Sequence, residues 1–264
     1  MNADPKIKLL TEQFLILKKE IGFLVEENKT NYNYLQNYLY FFYIPLFNYV
    51  ESIILLCEHK KYISASVILR SLIEAHINII YHQTSDSERK LAILAKSGFD
   101  KKIKEIKKIK GLIEKYPNLE SKDPSNLFSH EDLKALENVN KNNLQAVLKG
   151  NNIKDNDCEL NLYDKAIKCD GEQVKNAEGG HFEKMYIINY GYLCSSAHLD
   201  LDGLQAFITE KQDEKSGEHL IFEAIDICTA YTKDLYENNV ISGKIPENVA
   251  NIENLLKDKR QELN

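Results

Sequence analysis

Most of the features that assign a sequence to a class early are missing from this one. Five cysteines stand among 264 residues. Cys57, Cys158, Cys169, Cys194 and Cys228 are odd in number, widely spaced and form no C-x-x-C pair, which excludes a cysteine zinc cluster and predicts reduced thiols. The opening Met1-Asn-Ala-Asp-Pro has neither the basic nor the apolar region of a secretory leader, so a cytoplasmic chain is expected. No Pro/Gly/Ser-rich linker divides the sequence, which predicts a single helical domain over 1–264. Excess positive charge is missing too: the formal net charge is -6 and the pI about 5.7. That excludes a general nucleic-acid coat, whose affinity comes from phosphate neutralisation, and leaves room only for a local basic patch. There is no strict apolar/polar alternation, no repeat of fixed period, no Gly-rich phosphate loop, no G-x-S-x-G and no H-E-x-x-H. Neither is there the paired Glu-x-x-His of di-iron bundles.

Helical periodicity is what the chain does have. Residues Asp4–Glu27 set Leu9, Leu10, Phe14, Leu17, Ile21, Leu24 and Val25 on one face behind an Asp4-Pro5 start, an amphipathic helix. The aromatic run Tyr32–Tyr49 flanks Pro45 and continues to Glu58. Its apolar core, Tyr38–Cys57, contains Pro45, Asn48, Glu51 and Ser52, polar enough that we expect a kinked core helix and no membrane insertion. The short turn His59–Lys61 then predicts an antiparallel hairpin with the next helix. A further helix begins near Glu88, and from Asp100 to Tyr116 Ile103, Ile106, Ile109 and Ile113 alternate with Lys101, Lys102, Lys104, Lys107, Lys108 and Lys110. That segment is either an amphipathic helix with a solvated face or a patch that tracks phosphates, with Lys104 and Lys108 as substrate contacts.

Beyond Pro117 the pattern weakens into short helices, Ser129–Leu136 and Leu144–Leu148, a polar stretch Gly150–Asp157 and a turn or two over Glu159–Lys168. Residues 117–180 therefore read as an irregular helical insertion or lid. His181–His198 is the next strong helix, with a bend expected at Leu199–Gly203. Glu218–Asn238 and a terminal helix opened by Ile245-Pro246 complete an all-α, multi-helix antiparallel bundle.

The helix Tyr62–Gln83, YISASVILRSLIEAHINIIYHQ, is apolar almost all round and so should be buried. One polar line crosses it: Ser66, Arg70, Glu74, Asn78 and His82, each four residues after the last and about 40° further round. A buried arginine and glutamate either pair at i, i+4 as a structural unit or form a site. In the second reading the guanidinium supplies a planar fork for phosphate oxygens. His198 moves a proton, Glu74 orients Arg70 or fixes the imidazole, and Ser195, Tyr190 and Asn78 contact the substrate. A metal reading on Glu74, His198, Asp200 and Asp202 is a poor zinc set, so no metal or other cofactor is expected.

Two resemblances bear on that choice. Arg70-Ser-Leu-Ile-Glu-Ala-His76 satisfies R-x5-H and so is similar to the loose R-x4-6-H pattern of HEPN (higher eukaryotes and prokaryotes nucleotide-binding) ribonucleases. Ser71 stands where that family usually has Asn, Asp or His. The resemblance implies metal-independent RNA cleavage, often across a dimer, with His76 as the alternative catalytic histidine, although a straight helix sets it about 120° from Arg70. More specifically, Ala65, Ile68, Arg70, Ser71 and Glu74, followed by Tyr190, Tyr192, Ser195 and His198, resemble an uncharacterised all-helical bacterial family with an A-x-x-L-x-R-S-x-x-E helix and a later S-x-x-H helix. The chain departs from it in having no tryptophan. This resemblance pairs Arg70 and Glu74 with His198. The expectation is a toxin or anti-phage defence effector that cleaves RNA, acting as a homodimer or with a protein partner. The alternative is a non-catalytic module that senses a nucleotide or binds a partner.

Overall fold

In the computed structural model, which describes residues 5–27, 32–116, 130–173, 181–190, 193 and 214–263, every regular element is helical. Helix α1 spans Pro5–Glu27, α2 Tyr34–Glu58, α3 Tyr62–Gln83, α4 Ser87–Lys115, α5 His130–Gly150 and α6 Leu162–Gln173. Helix α7, His181–Lys184, runs directly into a π-helical segment, Met185–Tyr190; α8 is Glu214–Glu237 and α9 Glu247–Leu263. Residues 1–84 with 161–264 form one compact unit, and residues 85–160 form a second.

In the first unit, α2, α3 and α8 pack on one another, α1 and α9 pack on α8, and α6 and the π-helical segment pack on α3. The sequence dictates this arrangement. Asn33 begins α2 with a reciprocal capping box to Gln36, and the tight turn after Glu58, with Lys60 at φ 56, returns the chain along α3. Helix α8 buries Leu220, Ile221, Phe222, Ala224, Ile225, Ile227, Cys228, Tyr231 and Leu235. Its Gly217 is needed where it stands, because a Cβ there would lie 2.4 Å from the Tyr62 ring. The Tyr231 hydroxyl donates to the Leu39 carbonyl and ties α8 to α2.

Helices α2 and α3 are both long and apolar enough to cross a membrane. Half of the most apolar window of α3 and a third of that of α2 are buried inside the protein, and core helices of soluble proteins meet the same test.

The second unit is built around α4 and α5. Ile103, Ile106 and Ile113 bury against Leu133, and Ile109 joins them half-buried. The sequence suggests two short helices here, but α5 is continuous. Its inward row reads Leu133, Glu137, Asn140, Leu144, so two polar residues interrupt the apolar period that reveals a helix. Glu137 is tolerated there because Lys110 Nζ and Lys141 Nζ lie 2.5 and 2.6 Å from its carboxylate. These two hydrogen bonds, Lys110 first, hold its carboxyl down at about 2. The unit's bounds also differ from the 117–180 expected for an insertion: α4 lies in it, whereas α6 belongs with the first unit.

Candidate functional site

The five-residue polar line of α3 resolves into three different solutions. Three members bond back to carbonyls on their own helix: Ser66 Oγ to Ile63 O at 2.7 Å, Asn78 Nδ2 to Glu74 O at 2.8 Å, and His82 Nδ1 to Asn78 O at 2.7 Å. A carbonyl can only accept, so the His82 proton sits on Nδ1. Glu74, expected to be buried, is exposed instead and takes no ion pair among the described residues. A charged carboxylate on a helix otherwise so apolar is cheapest in water. Arg70 is half-buried and turns to the π-helical segment, where its Nη2 donates to the Tyr190 hydroxyl at 3.1 Å and its Cζ lies 5.0 Å from that ring's centroid. Arg70 and Tyr190, 120 positions apart in the chain, thus meet in space.

A chain of local interactions places Tyr190. Asp170 on α6 accepts from the Phe182 and Glu183 backbone N–H groups at 2.9 and 2.8 Å, capping the start of α7. Phe182 and Met185 are buried. The chain then takes the π form, a rare geometry that recurs at functional sites. There Tyr186 and Tyr190 stack, with centroids 5.1 Å apart and planes 18° apart. Tyr163 of α6 meets Tyr186 at 5.4 Å, and its hydroxyl donates to Glu183 Oε1 at 2.9 Å. That bond to an anionic acceptor pushes the Tyr163 phenol up from its usual value. Arg70, Tyr190, Tyr186 and Tyr163 thus form one column. Asp170→Ala should cost about 1–2 kcal/mol, because two capped N–H groups lose their acceptor, and lower the melting temperature by roughly 2–8 °C for a chain of this size. An unchanged melting temperature in calorimetry would show that the cap does not hold this segment.

His76 also meets this segment, nearer its start: it is buried, with its ring 5.7 Å from Phe182, and its Nδ1 has no hydrogen-bond partner among the described residues. Burial first, then His181, pulls its imidazole down to about 4, so the ring is neutral near pH 7. Removing a buried polar atom that has no partner costs little or helps. His76→Leu is therefore expected to leave stability within about 1 kcal/mol of wild type or raise it, as read from denaturant midpoints.

Asn78 takes part in two features. Its Oδ1 accepts from Lys165 Nζ at 2.6 Å; this lysine of α6 is buried, its ammonium 5.5 Å from the Tyr81 ring centroid. Asn78 also lines a cleft of about 350 Å³ between α2 and α3, with Phe42, Leu46, Tyr49, Ser71 and Glu74. The cleft is apolar on its α2 side and polar on its α3 side, the usual composition of a small-ligand pocket.

Lys104 and Lys108 belong to the second unit, where they are exposed along α4 with Lys101, Lys102 and Lys107. Lys110 turns inward to Glu137. Ser195, His198, Asp200 and Asp202 lie outside the described residues. Among those described, no group of three or more His, Cys, Asp or Glu side chains is placed to hold a metal ion. Sequence reasoning missed Tyr163, Tyr186, Asp170 and Lys165. Only Tyr186 left a trace, its i, i+4 spacing from Tyr190.

Residues 36–216 match the model of DUF5677, a family of unknown function. The match covers α2 to the start of α8 and so includes both Arg70 and Tyr190. No curated protein and no solved structure matches the chain.

Proposed function

The chain belongs to DUF5677, a family whose activity is unknown, and we propose that this member binds single-stranded RNA at Arg70 and cleaves it without a metal ion, as a cytoplasmic toxin or anti-phage defence effector. The observation that carries the reading is the guanidinium of Arg70, half-buried and steadied by the ring and hydroxyl of Tyr190. A pre-positioned planar fork stabilises the charge that develops on phosphoryl oxygens. In the proposed reaction the 2′-oxygen attacks the adjacent phosphorus and the bond to the 5′-oxygen breaks. The products are a 2′,3′-cyclic phosphate and a 5′-hydroxyl. His198 exchanges one of the two protons involved and solvent the other. The R-x5-H pairing of HEPN ribonucleases is the weaker version of this idea, since His76 is buried against Phe182. Lys104 and Lys108, exposed on α4 of the second unit, would make phosphate contacts on that unit.

The test is cleavage of labelled single-stranded RNA in excess EDTA. Wild type should cut and His198→Ala should lose at least a hundredfold in rate, the lower end of the range for losing a general acid or base. No cutting by wild type would overturn the catalytic reading.

A second reading, nucleotide sensing or partner binding without turnover, is favoured by the exposed position of Glu74 away from any ion pair among the described residues and by the cleft beside it. Stabilisation of the protein by a nucleotide that it does not turn over would select this reading.

A further inference from the structure

The chemistry proposed for Arg70 makes no use of the cleft of about 350 Å³ between α2 and α3. Its α2 wall carries the rings of Phe42 and Tyr49 with Pro45 and Leu46 between them. Tyr49 is 37% exposed and meets no other ring among the described residues. Pro45 stands inside a continuous helix and has no N–H, so the Phe41 carbonyl, which the proline ring abuts, lacks the donor that the helix would otherwise give it. On the α3 wall Ser71 and Ala75 are short and leave the space open. Both polar atoms of Asn78 are engaged, Nδ2 with the Glu74 carbonyl and Oδ1 with the Lys165 ammonium. That leaves Glu74, the one charged side chain among the residues lining the cleft, exposed and without an ion pair among the described residues.

Charge decides what kind of ligand fits. A carboxylate repels phosphates and other anions, and a carbonyl without its donor asks for an N–H. Aromatic rings attract cations to their faces. One carboxylate is too few oxygens for calcium or magnesium, and the space is far larger than an ion. An organic cation meets every requirement at once. Its apolar part lies along Pro45 and Leu46, and its charged end has donors for both walls. We infer that the α2–α3 cleft is a binding site for a small primary alkylammonium ion, paired with Glu74 and held against the rings of Phe42 and Tyr49. This goes beyond the RNA reading of Arg70 and does not depend on it. Within the second reading, it puts an amine in place of a nucleotide as what the cleft binds.

The full chain is titrated with n-hexylammonium, 1-hexanol and hexanoate, three probes with similar apolar chains and charges of +1, 0 and -1, and binding is followed by ligand-observed NMR. The ammonium should bind about tenfold more tightly than the alcohol, the gain expected of one exposed ion pair and two ring contacts, and hexanoate should bind more weakly than either. Glu74→Gln should bring the ammonium to within about twofold of the alcohol and leave the alcohol unchanged. Non-specific attraction cannot produce that result, because the substitution removes one of forty acidic residues. Tyr49→Ala should weaken the ammonium about threefold or more, and Ala75→Leu, which fills the cleft, should weaken both probes. Glu74 and Tyr49 are exposed, so their variants should melt within a few degrees of wild type. Equal affinity for ammonium and alcohol, a preference that survives Glu74→Gln, or a response to a lysine-bearing peptide and to no free amine would overturn the inference. None of these readouts involves RNA cleavage.

Discussion

Arg70→Ala should reduce cleavage of single-stranded RNA at least a hundredfold while moving the melting temperature by only a few degrees. The size of the loss follows from removing a positioned donor from the charge developing on the phosphoryl oxygens, which costs about 10²–10³ in rate in comparable sites. The small effect on stability follows from what the side chain does in the fold. It is half-buried, and its contacts with the Tyr190 hydroxyl and ring are worth about 1–2 kcal/mol together. Arg70→Lys keeps the charge and loses the fork, so an intermediate loss of about tenfold is expected. Initial rates in EDTA, set beside calorimetric melting of the same preparations, separate the two roles. A variant that melts far below wild type yet keeps full activity per folded molecule would make Arg70 a structural residue.

The largest effect on stability is expected at Asp234, in α8. Its Oδ2 accepts from Gln83 Nε2 at 3.0 Å, and Gln83 Oε1 in turn accepts from Asn238 Nδ2 at 2.8 Å. Burial pushes the carboxyl up to about 7; Glu237 adds to the rise, while Gln83 and Lys233 oppose it. An acid whose pKa is raised by folding binds more protons folded than unfolded between about pH 4 and 7. Its contribution is therefore complete below about pH 4 and is lost as the pH rises to 7. His76 acts in the opposite sense. Its imidazole is lowered to about 4 in the fold, so its cost grows as the pH falls from about 6.5 to 4.

The two slopes largely cancel in wild type across that window, and single substitutions separate them. Asp234→Asn should gain roughly 2–4 kcal/mol at pH 8 and lose stability on acidification below about 6.5. His76→Leu should instead lose stability as the pH is raised from about 4 to 7. Urea midpoints at half-unit pH intervals provide the check, and parallel profiles for the two variants would refute the assignment.

The sequence reveals the helical class and the central hairpin because apolar positions recur at helical spacing from Leu39 to Cys57 and again from Tyr62 to Tyr81, on either side of one short polar turn. It reveals Arg70 because an arginine on such a helix demands an explanation. It does not show how the polar line would divide. Ser66, Asn78 and His82 turn back on their own helix, Glu74 reaches water and Arg70 crosses to Tyr190, and rotamers rather than spacing make that choice. The continuous α5 is hidden because Glu137 and Asn140 occupy its buried row and are balanced by partners on another helix or one turn earlier. The tyrosine column is the least legible feature. Tyr163 and Tyr186 stand 23 residues apart on different helices, and the π-helical segment that aligns Tyr186 with Tyr190 has no residue pattern of its own.

In the proposed function Arg70 anchors metal-independent RNA cleavage through the 2′-oxygen. The most direct measurement is product analysis in excess EDTA of a single-stranded RNA beside its 2′-deoxy counterpart, for wild type and Arg70→Ala. The predicted result is 2′,3′-cyclic phosphate ends from the RNA with wild type, at least a hundredfold less with Arg70→Ala, and no product from the deoxy strand. Cleavage of the deoxy strand, dependence on added divalent metal, or equal rates for wild type and Arg70→Ala would contradict it.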